Sequence, residues 1–176
     1  MADEAQTPNK QLMLQKIYIK DFSFESPKAP EIFTTNANPQ TQLNIRSSNK
    51  DVGNDNVEVT LTLTVETKDK EDTMFLIEIV QAGVFLIQGY TTEERGVLIG
   101  SFCPSTLYPF AREAISDMAT RGGFPQLLLQ PINFDALYAQ AMQQRSQQGA
   151  PATVTAPADA TAAPAPQTEP TPGETH

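Results

Sequence analysis

The chain has 176 residues, 39% of them hydrophobic, and 12 basic side chains against 21 acidic ones give it a net charge of −9. That length holds one domain with a real core, and that charge argues against nucleic acid and anionic lipid as partners, because their phosphates would repel it. Cys103 is the single cysteine, so a disulfide framework, a CxxC redox pair and a cysteine-built zinc site are excluded.

The opening residues, MADEAQTPNK, lack a basic region followed by an apolar one and do not read as a signal peptide. No apolar run is long enough to cross a bilayer, so neither direct membrane insertion nor a location other than the cytoplasm is expected. Residues 1–10 are expected to be a flexible N-terminus. The first strand is LMLQKIYIKDFSFE, Leu12 to Glu25. Its apolar phase is even at Leu12 and Leu14, odd at Ile17 and Ile19, and even again at Phe22 and Phe24. It therefore carries bulges or has both faces covered. Pro27 and Pro30 predict an extended crossover, SPKAPEIF. A weaker strand, Gln42 to Ser48, precedes a turn at Asp51 to Asn56 in which Gly53 can take a positive φ.

The third strand, NVEVTLTLTVE, alternates cleanly. Val57, Val59, Leu61, Leu63 and Val65 point one way, while Glu58, Thr60, Thr62, Thr64 and Glu66 point the other. This predicts an antiparallel strand with one wet face. After the charged turn KDKED, the fourth strand (Thr73 to Gly89) is apolar on both faces, which suggests a central or covered position. Gly83 marks a bulge or a close approach. Thr91 and Glu94 have capping-box spacing, and Pro104 is expected to end a first helical piece. A longer helix from Ser105 to Arg121 carries Leu107, Phe110, Ala111, Ala114, Ile115 and Met118 on one stripe, stopped by Gly122 and Gly123. Then comes an apolar loop, FPQLLLQP, with Leu127, Leu128 and Leu129 in a row. Asn133 can cap a last helix, whose stripe is Phe134, Leu137, Tyr138, Ala141 and Met142. The class is α+β: a four-stranded antiparallel sheet followed by helices. Residues 11–147 form the domain, and residues 148–176, rich in Ala, Pro and Thr, are expected to be a disordered tail.

No catalytic constellation emerges. The only histidine is His176, at the end of that tail, and no GxxxxGK[ST] loop occurs. The pairs Glu71–Asp72 and Glu93–Glu94 fall in a turn and at a helix start. The chain reads as a non-enzyme without cofactor or metal.

FPQLLLQPINFDALY, LYPFAREAISDMATRGGFPQL and IYIKDFSFESPKAP resemble the SecB protein-export chaperone family in order and spacing. The resemblance implies a homotetramer, a dimer of dimers, with the long helices packed between two sheet layers. It implies a cytosolic holdase, independent of ATP, that keeps precursor proteins unfolded and delivers them to the SecA ATPase. Ile32, Phe33, Phe124, Leu127, Leu129 and Phe134 are the candidate lining of a groove for unfolded clients. Asp21, Glu25, Leu76 and Glu78 match the sheet-face positions that dock the basic tail of SecA in that family. The helix stripe, Leu107, Phe110, Ala111, Ala114, Ile115 and Met118, is assigned to the core and to subunit contact. The alternative is a SecB-like chaperone that guards one aggregation-prone partner, such as an antitoxin, rather than serving export.

Overall fold

The computed structural model describes residues 9–35, 37–148 and 158–159. Residues 1–8 of the expected flexible start, and 149–157 and 160–176 of the expected tail, lie outside the described residues. Lys10 Nζ lies 2.6 Å from a Glu94 carboxylate oxygen.

Four long antiparallel strands come first: β1 (Gln11–Glu25), β2 (Gln40–Gly53), β3 (Asn56–Asp69) and β4 (Asp72–Gln88). Their order across the sheet is β1-β4-β3-β2, and a two-residue strand, β5 (Ala158–Asp159), adds to the outside of β2. The fourth strand is thus central, as its two apolar faces require. The phase flips in β1 are bulges, with the register slipping between Leu14 and Lys16 and between Ile19 and Asp21. Each slip moves the following residues to the other face, which keeps Leu12, Ile17, Phe22 and Phe24 all turned to the core.

Three expectations need correction. The second strand runs from Gln40 to Gly53 rather than from Gln42 to Ser48. Its second half, from Arg46 on, is exposed, so backbone pairing to β3 rather than an apolar face holds it in the sheet. The proline crossover is not extended. The Ile32 amide donates to the Lys28 carbonyl at 2.9 Å and a 3₁₀ turn spans Glu31–Thr34, because Pro30 has φ near the value a tight turn needs. Pro104 does not end a helix either. A helix starts at α1 (Thr92–Val97), passes through a π turn (Leu98–Phe102) and continues as α2 (Cys103–Arg121). Proline lacks an N–H and crowds the carbonyl four residues back, and the wider π turn just before it absorbs both defects.

Other local signals hold. Thr91 and Glu94 form both bonds of a capping box. Gly53 and Gly123 both take φ of +86°. At the end of α2 the Phe124 amide reaches the Ala119 carbonyl and the Gly123 amide reaches Thr120, each at 3.1 Å, a Schellman stop. Asn133 caps α3 (Phe134–Gln148), accepting from the Ala136 amide at 3.0 Å.

The core lies between the sheet and α2. Val59, Leu61, Leu63, Val65, Ile77 and Ile79 face Cys103, Leu107, Ala111 and Ile115 with no exposure on either side. Gly83 marks a close approach: a Cβ there would come within 2.8 Å of Leu107. Burial pushes the Cys103 thiol up to about 12, so it is an inert part of this core. No helix among the described residues is long and apolar enough to cross a membrane.

Candidate functional site

The sheet twists its inner face against α2 and leaves two loops to close one end, the crossover after β1 and the segment after α2. They meet on an aromatic cluster. The Phe124 ring centroid lies 4.7 Å from Phe75, 5.1 Å from Phe33 and 6.4 Å from Phe24. The stop at Gly122 and Gly123 makes this possible, since a Cβ on Gly122 would collide with the Phe24 ring. Phe124 is buried within the cluster, whereas Phe33 lies over it with half its surface open, at 50%. Ile32, one residue earlier, is buried.

The leucine run then continues as an extended segment. Successive side chains of such a segment point to opposite sides. Leu127 and Leu129 are buried at 5% and 3%, and Leu128 between them is exposed at 57%. With Pro109, Arg112 and Ser116 of α2 the three leucines line a groove of about 590 Å³. The Tyr108 hydroxyl donates to the Gln130 carbonyl at 2.6 Å and ties the segment to α2. Phe134 stands elsewhere. It stacks edge-on against Tyr108 at 5.7 Å and lines a separate groove of about 670 Å³ between β2, the π turn and α3. The six groove candidates thus fall in three neighbouring places, and Phe33 alone among them reaches solvent. In the sequence the three leucines form one apolar block. Period two in an extended segment was the signal that separates Leu128 from its neighbours.

The outer face of the sheet has a second arrangement. The strand register sets it out in rows across β1, β4, β3 and β2. The first row is Glu25, Leu76, Glu66 and Gln42, and the second is Ser23, Glu78, Thr64 and Asn44. The third is Asp21, Val80, Thr62 and Arg46. Asp21, Glu25, Leu76 and Glu78 therefore share one face and one end of it, joined by Glu66. Thr64 Oγ1 donates to Glu78 Oε2 at 3.0 Å. Further along the same face Glu58 is buried under Tyr18 and Lys20. The Tyr18 hydroxyl donates to Glu58 Oε1, and Lys20 Nζ bonds both carboxylate oxygens at 2.9 and 3.0 Å. The Tyr18 bond first, and Lys20 second, hold the Glu58 carboxyl below the usual range; the same bond raises the Tyr18 phenol. This trio was missed because its members are 38 and 40 residues apart and only the bulged register brings them together.

On the helix, Leu107, Ala111 and Ile115 are sealed against their own sheet. Ala114 and Met118 are partly open, and Phe110 and Phe102 are both exposed, Phe110 at 46%.

The family model described as "Preprotein translocase subunit SecB" matches residues 4–145. The chain belongs to the SecB family. It is 47% identical over 153 residues to Protein-export protein SecB of Methylococcus capsulatus, covering 87% of this chain and 99% of that protein. It is 50% identical over 142 residues to Protein-export protein SecB of Nitrosococcus oceani, covering 80% and 87%. Among solved structures, the SecB-like chaperone of Mycobacterium tuberculosis, in complex with a ChAD peptide from the HigA1 antitoxin, superposes with a TM-score of 0.59. That match covers 69% of this chain and 90% of that one at 16% identity, and it shows the shared SecB fold.

Proposed function

We propose that this protein is an export chaperone: it holds unfolded precursor chains in apolar grooves, without ATP, and hands them to SecA. The observation that carries the reading is Phe33, a half-open aromatic ring seated on the buried Phe124 where the crossover meets the segment after α2. An aromatic or aliphatic client side chain placed against it extends a cluster that already exists. Each such side chain contributes ~1.5–3 kcal/mol before ordering costs. Several weak contacts along one client give retention with release, which a holdase needs. Exposed Leu128 offers a second contact, while Ile32, Leu127 and Leu129 form the floor and wall that hold the open residues in place.

The acidic end of the outer face supports the second half of the reading. Asp21, Glu25 and Glu78 around Leu76 form a negative patch with an apolar centre, Glu66 beside them being paired with Lys68 at 3.0 Å, and the patch suits a cationic partner segment such as the tail of SecA. Subunit contact also has surfaces to use. Among the described residues β1 is the edge of the sheet and carries exposed Met13, Leu14 and Ile19, and the helix shows Val97, Phe102 and Phe110 to solvent. Open apolar edges and stripes of this kind are covered by association, here into a dimer of dimers. The cytoplasm is the compartment where precursor chains await export.

The test is capture of an unfolded precursor by wild type and by Phe33→Ser with Leu128→Ser. Both positions are exposed, so the fold survives the change. Capture should fall at least about ten-fold. Equal capture by an intact oligomer would remove this mouth from the function.

A further inference from the structure

Below the acidic rows, the outer face changes sign. After a row of Tyr18, Ala82, Thr60 and Ser48 comes a row of Lys16, Val84, Glu58 and Lys50. Lys20, squeezed out of register at the second bulge, swings its amine down to the same place to meet Glu58. Glu58 is matched there by Lys20 and the Tyr18 hydroxyl. Lys16 and Lys50 are exposed and, among the described residues, make no ion pair, so this end carries net positive charge. Between the two ends β4 presents half-buried Val80 and, with no exposure, Ala82; Leu76 beside Glu78 and Val84 beside Lys16 extend this narrow apolar strip into the end rows.

We propose that this face docks one polypeptide segment in one direction, with its cationic end over Asp21, Glu25 and Glu78 and an anionic group over Lys16 and Lys50. The proposal rests on the docking role given above to the acidic end and adds the opposite end and the orientation. The shape favours a segment over a sheet. The apolar strip is one residue wide and flanked by threonines and charges, whereas sheet-on-sheet packing needs a broad dry face. From Glu78 to Val84 is six residues of strand, about 20 Å at ~3.4 Å each. An extended partner therefore needs its opposite charges about six residues apart, and a helical one about thirteen, at ~1.5 Å per residue. A bipolar face also discriminates: a segment laid the other way would set like charges together at both ends.

Fluorescence anisotropy on the intact protein tests this with two synthetic peptides. One carries three lysines, an apolar middle and two aspartates six residues on. The other has asparagines in place of the aspartates. At low salt the first should bind wild type about ten-fold more tightly. Lys16→Glu with Lys50→Glu should abolish or invert that ratio without weakening the cationic asparagine peptide; Lys16→Gln with Lys50→Gln should remove most of it. Asp21→Lys with Glu78→Lys should weaken both peptides. Equal binding of the two peptides to wild type, or a ratio that survives the lysine reversal, overturns the directional site and leaves the acidic end standing. Indifference of both peptides to the acid reversal overturns the docking reading as well. A change in oligomer size on lysine reversal, without a change in the ratio, would assign the face to contact between copies and overturn the proposal.

Discussion

Along β3, Val57, Val59, Leu61, Leu63 and Val65 turn to the helices and are out of water, while Glu58, Thr60, Thr62, Thr64 and Glu66 turn outward. The same backbone and the same hydrogen bonds serve both faces. Inside, Leu63 and Val65 sit between Ile79 and Ile45 and between Ile77 and Leu43, with buried Gln81 beside Leu61 as a polar exception, and the gain is burial. Outside, threonines and glutamates stand beside Leu76, Glu78, Val80, Ala82 and Val84 in ordered rows, and the gain proposed is recognition. The two faces should therefore answer mutation differently: the inner one in stability, the outer one in binding.

Breaking the inner face should cost most. Leu61→Ala, at a site with no exposure, should lower unfolding stability by about 2–5 kcal/mol in a denaturant titration. Leu127→Asp places a charge where the side chain is 5% exposed, and a loss of about 3 kcal/mol or more is expected in the same measurement. Leu128→Asp, one residue on, should lose less than about 0.5 kcal/mol, which contrasts the two sides of the leucine run. Gly122→Ala pushes a methyl into the Phe24 ring and should cost about 1–3 kcal/mol, with altered near-ultraviolet dichroism of the aromatic cluster.

Glu58 blurs the comparison, because it is a buried carboxylate on the outer face. Its folded pKa lies below its ordinary 4.5, chiefly through the Tyr18 hydroxyl and then Lys20. It therefore contributes stability above that value, lost as pH falls through the lower folded one. Tyr18 is raised above 10.0 by the same bond, so its share is present below pH 10 and lost as pH rises through the folded value. Glu58→Gln should flatten both the acid and the alkaline limb of a stability–pH curve, with little change between. Smallest of all in stability should be Asp21→Lys with Glu78→Lys, within about 0.5 kcal/mol, although SecA binding should fall about ten-fold or more in a calorimetric titration.

Much of the inner face was legible, because period two in β3 and the phase flips in β1 are direct records of which side is dry. The long helix stripe was legible only in part. Leu107, Ala111 and Ile115 share a ridge with Phe110 in sequence, yet the sheet covers a narrower arc, and Phe110 stays outside. The second half of β2 was illegible for the opposite reason: from Arg46 to Gly53 it is polar and exposed, and only pairing with β3 defines it. The acidic end came from the family resemblance, whereas Lys20 meeting Glu58 needed the bulge. For the groove, the residue types marked the region, and burial then separated open Phe33 and Leu128 from the side chains that support them.

The most direct test of the client mouth is hydrogen exchange on the protein with and without a bound unfolded precursor. Binding as described should slow exchange at residues 30–34 and 122–132 and leave the outer-face residues of β3 unchanged. Protection confined to the outer face, with those two loops exchanging as fast as in the free protein, would contradict it.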